Sequence, residues 1–271
     1  MSTSADLRSV DPVPSNYEKA AQLNSRKPGT NEPATPSAEP KKPLPANNSW
    51  LYHLLTGTQK YSAFLFTAFL GLHATTVIVA PLFGMDAANK TLSFTRAIYH
   101  APYAESILVY GAIVAHLLSG WGLRIRKMIH DYQKYGELKA SKYISKISLT
   151  GMMFTPIIAG HIAVTRLVPL YVSGDSSYVS LDYIGHLADH HRLLGNFALF
   201  GIATITGLHV SAGLKKFLNV KSTWAKNLFK YGLYAYFAAT VGAIIQYNRM
   251  GPTVGFVGDL YNQYIAVYMP F

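Results

Sequence analysis

The stretch LHATTVIVAPL, Leu72 to Leu82, and a second one, GHIAVTRLVPL, Gly160 to Leu170, decide how this chain is read. In each, a histidine precedes a proline by eight residues and a leucine follows the proline. Both stretches end long apolar runs, and five such runs occur, at about residues 59–83, 105–123, 150–172, 193–214 and 228–246. A run of about 18 or more residues with few charges is long enough to cross about 30 Å of hydrocarbon as a helix. Half the residues are hydrophobic, whereas charged residues make up 14% and fall almost wholly between the runs. The chain is therefore expected to be an integral membrane protein.

The second and fourth runs also match each other. His116 is followed by Ser119, Gly120 and Leu123-Arg124, and His209 by Ser211, Gly213 and Leu214-Lys215. Self-similarity of this kind marks a duplicated structural unit. The expected fold is all-α: a five-span transmembrane helix bundle built from a duplicated helix hairpin plus a fifth helix, with a disordered N-terminal arm. The membrane domain is expected over residues 58–271 and the arm over residues 1–57.

The duplication also sets depth. At about 1.5 Å per residue, His73 and His161 lie about 12 Å inside the boundary marked by Pro81 and Pro169. His116 and His209, running the opposite way, lie roughly 9 to 12 Å inside the other boundary, marked by Arg124 and Lys215. Two stacked layers of paired imidazoles result, and three readings follow. A bundle with inward histidine pairs can clamp haem b iron, as membrane cytochromes do. Neutral histidines can instead join helices by hydrogen bonds worth about 0.6 kcal/mol on average. They can also line a hydrated groove for lipid headgroups or ions. Gly120, Gly122, Gly207 and Gly213 would allow close approach of helices or of a macrocycle. Arg166, within the third run, favours the groove if it faces a partner, although near a helix end it is expected to snorkel.

Nineteen of the 24 Lys and Arg fall in residues 1–60, the second loop and the fourth loop. These segments share one side in a five-span topology, and Lys- and Arg-rich loops remain cytosolic. The N-terminus is thus expected in the cytosol and the C-terminus across the membrane. The net charge of +11 reflects this asymmetry. No single basic face or stripe interleaved with aromatics collects it, which sets nucleic-acid binding aside. The first thirty residues lack both an apolar signal core and an Arg-rich amphipathic helix, so an internal span is expected to direct insertion. With no cysteine there is no thiolate metal site.

Residues 1–49 are rich in Pro, Ser, Asn and Ala, with Tyr17 as their only aromatic, and cannot bury enough apolar surface to fold alone. Within them Pro12 and Pro14 hold an extended backbone just after Leu7 and Val10, a candidate docking motif for a partner. Pro43-Leu44-Pro45 repeats the proline spacing without the same apolar anchors. His186, His190 and His191 with Asp182 and Asp189 suggest a metal cluster, but no second segment completes it, and a solvated loop is expected there. Asn47 and Asn89 begin glycosylation sequons by spelling alone. No catalytic constellation is recognisable, so the chain is not expected to be an enzyme.

The run Leu72-His73-Ala74 to Pro81, the segment His116 to Arg124, His161 with Pro169, Leu208 to Gly213, and Met250-Gly251-Pro252 resemble the fungal mitochondrial outer-membrane adaptor family first described as complementing loss of an ER–mitochondria tether component. The likeness covers about residues 60 to 255. It implies that Leu7, Val10, Pro12 and Pro14 form a Pro-x-Pro motif that recruits a bridge-like lipid-transfer protein of the vacuolar protein sorting class. Ser15 departs from the apolar residue usual at that place in the family. The resemblance further implies multi-pass residence in the mitochondrial outer membrane with the C-terminus in the intermembrane space. It also implies a role in lipid homeostasis and a bundle that scrambles phospholipids. The bundle is similar to the cytochrome b anchor subunits of succinate dehydrogenase, the structural analogy behind the haem reading.

Overall fold

The eight-residue spacing from histidine to proline has a conformational consequence that occurs twice. Proline lacks an N–H and its ring clashes with the carbonyl four residues back, so an α-helix entering it must loosen. In the computed structural model, which describes residues 49–99, 101, 103–136 and 145–269, helix α1 (Ser49–Ala74) passes into a π turn at Thr75–Val79 and then a 3-10 turn at Ala80–Phe83 that contains Pro81. The matching α4 (Lys146–Ile162) passes into a π turn at Ala163–Leu167 before α5 (Val168–Ser173), which contains Pro169. In both, the residue before the proline donates its N–H five residues back, Ala80 to Thr75 and Val168 to Ala163. Both prolines are fully buried. The duplication therefore extends from residue identity to backbone conformation.

The described residues are helical without strands, and five helices are long and apolar enough to cross a membrane: Trp50–Phe83, Ser106–Gln133, Lys146–Ser173, Arg192–Phe217 and Thr223–Tyr247. These are spans 1 to 5. Span 2 comprises a π turn at Ser106–Gly111 and α3 (Ala112–Tyr135); spans 4 and 5 are α6 (Arg192–Phe217) and α7 (Thr223–Tyr247). Most of these helices run past the apolar limits expected from hydropathy, because backbone hydrogen bonding continues into the interfacial turns while Lys and Arg extend their heads outward. At the start, α1 begins at Ser49 and takes residues 49–57 from the expected arm, and α3 runs on to Tyr135, well past the expected end at residue 123. Ser145 and Ser222 cap spans 3 and 5 by accepting the N–H groups of Ser148 and Ala225.

Close packing runs within the two hairpins, span 1 on span 2 and span 3 on span 4, and span 5 ties them together by packing on span 4 and on the π and 3-10 turns of span 1. Outward faces carry exposed apolar residues such as Leu118, Leu193 and Phe197, as expected where the solvent is hydrocarbon. Tight burial is concentrated instead beyond the proline ends of spans 1 and 3. There Tyr261, Tyr264 and Ile265 of the C-terminal helix α8 (Gly255–Tyr268) pack with Val179 and Tyr183. That end lies outside the five apolar spans, where removing apolar surface from water is favourable. A further amphipathic helix, Met85–Tyr99, lies between spans 1 and 2 at the same end and joins it through the buried pair Thr76 and Thr95, whose hydroxyls are 3.0 Å apart.

Candidate functional site

The two hairpins face each other across two clefts, and each cleft holds one histidine pair. His73 of span 1 and His161 of span 3 have ring centroids 5.9 Å apart; His116 of span 2 and His209 of span 4 are 6.2 Å apart. The pairs meet edge to face and line separate cavities of about 270 and 370 Å³. Phe66, Ile113, Phe154 and Ile158 line both cavities and form an apolar waist between them. Spans 1, 2 and 3 each contribute to that waist, which lies between the two clefts.

The two ends differ in charge. The larger cleft opens toward the basic end and includes Arg124, Lys127 and Lys216 in its lining, with no carboxylate among the described residues. The smaller includes Arg96, Arg166 and Glu105. Arg166 pairs with Glu105 at 2.7 Å and donates to the Ser176 hydroxyl, while Arg96 donates to the carbonyls of Ser177 and Val179. These two arginines hold the segment after Gly174 across the proline end of the smaller cleft. Arg166, expected to snorkel, therefore meets a carboxylate instead. Glu105 directly precedes span 2 and is 61 positions from Arg166, and its place at the edge of an apolar run is the one signal that could have marked it.

Spans 2 and 3 are bridged by side chains near both ends, Glu105 with Arg166 and Arg124 donating to the Ser148 carbonyl at 2.9 Å, and no extensive backbone packing joins them among the described residues.

The histidines of the larger cleft are oriented by neighbours that the sequence did not single out. His116 donates its Nδ1–H to the Gln59 carbonyl at 3.2 Å. Thr150 gives its hydroxyl proton to the Ile147 carbonyl, so its oxygen accepts from His209 Nδ1 at 3.2 Å. Both uncharged rings consequently present Nε2 as the lone-pair atom, the arrangement found in metal-ligating histidines. The Gly151 backbone fits tightly against the His209 ring, where a Cβ would stand 2.9 Å from Cε1. His73 stacks on Phe69 at 5.6 Å, and neither it nor His161 has a hydrogen-bond partner among the described residues. The donor chemistry for a haem thus fits His116 and His209 better than His73 and His161.

The loop histidines take another form. His186 lies in the helix Asp182–His190 and is 1% exposed, which replaces the expected solvated loop. It accepts the Thr253 N–H on Nδ1 and donates from Nε2 to Asn262, joining that helix to the chain around α8. Burial lowers its pKa, with His190 adding to the effect, against opposing contributions from Asn262, Asp189 and Thr253. No group of His, Asp and Glu suited to a metal ion occurs among the described residues. Leu7, Val10, Pro12 and Pro14 lie outside the described residues.

With this geometry in view, comparison with known families gives one result. Residues 156–251 match the family model of the MDM10-complementing protein 1 transmembrane domain. The matched segment runs from within span 3 to the end of span 5 and contains His161, Arg166 and His209; His73 and His116 lie outside it. Comparisons with curated proteins and with solved structures find no match.

Proposed function

We propose that this protein is a non-enzymatic adaptor of the mitochondrial outer membrane. Its N-terminal Pro-x-Pro motif recruits a bridge-like lipid-transfer protein, and its bundle moves phospholipids between leaflets. The observation that carries the membrane half is the pair of polar-ended clefts, stacked along the bundle and sharing an apolar waist. Such a route lets a headgroup travel past histidines and hydroxyls while acyl chains stay in hydrocarbon, lowering the penalty of carrying a charge through the bilayer centre. A bridge delivers lipid to the cytosolic leaflet only, so a membrane receiving it must equilibrate its two sides. The similarity to the MDM10-complementing protein 1 domain supports the mitochondrial placement, and the charge asymmetry supports a cytosolic N-terminus.

Two measurements test this reading. Purified protein in vesicles containing a fluorescent phospholipid is expected to let a membrane-impermeant quencher reach nearly all the label, against about half in empty vesicles; quenching at the empty-vesicle level would refute lipid movement. Replacing Pro12 and Pro14 together by alanine is expected to abolish recruitment of the lipid-transfer protein to mitochondria while leaving leaflet exchange intact. Recruitment that survives both changes would refute the docking motif.

A second reading is favoured by the orientation of His116 and His209: these two residues would ligate a haem b, which when bound accepts and donates single electrons. A b-type absorption spectrum that weakens in His116→Ala and is unchanged in His73→Ala would favour it. A featureless spectrum after expression with ample haem would leave the lipid route.

A further inference from the structure

We infer that the smaller cleft is a binding site for an uncharged lipid with a hydroxyl head, the hydroxyl held at His73 and His161 and the apolar body against the waist. This goes beyond the movement of phospholipids and does not depend on it. The first observation is unspent hydrogen-bonding capacity gathered in one place. His73 of span 1, His161 of span 3, Thr206 of span 4 and Tyr236 of span 5 line this cleft, and none of their side chains makes a hydrogen bond among the described residues. Thr206 is only 8% exposed. The hydroxyls of Tyr110, Thr165, Thr240 and Tyr247 line the same cleft, and each has an acceptor. Buried polar groups almost always find a partner, and within a bilayer no bulk water supplies one. Four idle groups from four spans therefore mark a place for a ligand. The duplicated layer sharpens the contrast, because His116 and His209 of the larger cleft are both engaged, by Gln59 and Thr150. The second observation is the state of the charges. Arg166 pairs with Glu105 at 2.7 Å and donates to Ser176, and Arg96 donates to the carbonyls of Ser177 and Val179. An ionised headgroup would compete with these contacts, whereas an uncharged one leaves them in place. Third, the wall toward the waist is apolar, with Phe66, Ile113 and Ile158, which suits a hydrocarbon body and not a small polar solute. A hydroxyl both donates and accepts, as does a neutral imidazole, so one hydroxyl complements two such rings whose centroids are 5.9 Å apart.

The test uses the full chain, purified in mild detergent and incubated with radiolabelled dioleoylglycerol or cholesterol, each beside its acetate ester, with the lipid retained on gel filtration counted. The two probes carry one hydroxyl on different apolar bodies, so they distinguish a glyceride from a sterol as the source of the same head chemistry. The wild type is expected to retain at least one of them, and the matching acetate, which has no proton to donate, about five-fold less, as loss of one hydrogen bond implies. His161→Leu and Thr206→Val are each expected to lower retention of that probe by a similar factor. Thr206→Val changes shape little and guards against a folding defect in His161→Leu. Lys221→Gln, outside both cleft linings, should change nothing. Retention of neither probe, which would leave water alone in the cleft, equal retention of a probe and its acetate, undiminished retention in both cleft variants, or an equal loss in Lys221→Gln would each overturn the site. Retention is read without leaflet exchange, so failure here leaves phospholipid movement standing, and failure of exchange leaves this site standing.

Discussion

Tyr247→Phe removes one hydroxyl, and the structure makes its cost specific. Pro81 has no N–H to give the Val77 carbonyl four residues back, the bond that an uninterrupted α-helix would make. Tyr247 of span 5, 2% exposed, supplies the missing donor at 2.8 Å. Removing it orphans an acceptor in a setting with little water, a loss of about 1–3 kcal/mol. Interhelical hydrogen bonds measured in membranes average about 0.6 and reach about 1.7 kcal/mol, because the unfolded chain in lipid finds other partners. We therefore expect a loss of about 1–1.5 kcal/mol, measured by titration from mild detergent into SDS with helicity as the readout. The decisive comparison uses a Pro81→Ala background, where residue 81 regains an N–H able to bond Val77. There Tyr247→Phe should cost less than about 0.5 kcal/mol. An equal cost in both backgrounds would show that the hydroxyl does not compensate for the proline, and the reasoning would fail.

Three further expectations concern packing, charge and pH. Gly207→Ala would place a Cβ 2.9 Å from the Tyr236 ring and 3.1 Å from Leu233 where spans 4 and 5 pack, so it should destabilise by about 1–3 kcal/mol as overpacking does; Gly213→Ala, with nothing within 4 Å, should be neutral or slightly stabilising in the same titration. Arg166→Gln and Glu105→Gln should each lower stability by about 1 kcal/mol, a figure reduced for the partial exposure of the pair, and the double variant should lose less than the two singles combined; strict additivity would deny the pair. Because burial depresses the His186 pKa in the folded state, its contribution is fully present above the unfolded value of about 6.5 and is lost as pH falls below it. Protonation would end acceptance of the Thr253 N–H, so the protection of Gly255–Tyr268 amides, taken against the intrinsic exchange rate at each pH, should fall on acidification. His186→Gln should remove that dependence, and an unchanged pH profile in this variant would refute the assignment.

Much of the candidate site was legible because duplication prints it twice. The pairing of His73 with His161 and of His116 with His209 follows from matched spacings to Pro81 and Pro169 and to Arg124 and Lys215, and each pair lines one of two clefts. The residues that orient or charge these clefts left weaker traces. Gln59 acts through its backbone carbonyl, which carries no side-chain signature, and Thr150 reads as an ordinary residue at the start of a span. Arg166 announced itself as a charge inside a span, but its partner depends on how span 2 lies beside span 3.

By itself the sequence determined the class of protein, five helical spans in duplicated hairpins, because hydrocarbon requires long apolar runs with every backbone group satisfied within the helix, and that demand is written residue by residue. Only the tertiary structure decided that Arg124 bridges to the Ser148 carbonyl, which carboxylate meets Arg166, that Tyr247 replaces the donor Pro81 lacks, and that His186 is buried beneath a tyrosine-rich cap. The physical reason is that lipid exerts little preference among ways of packing apolar helices. The arrangement is selected by sparse polar contacts and close fits between residues far apart in the chain, and a one-dimensional pattern does not record them.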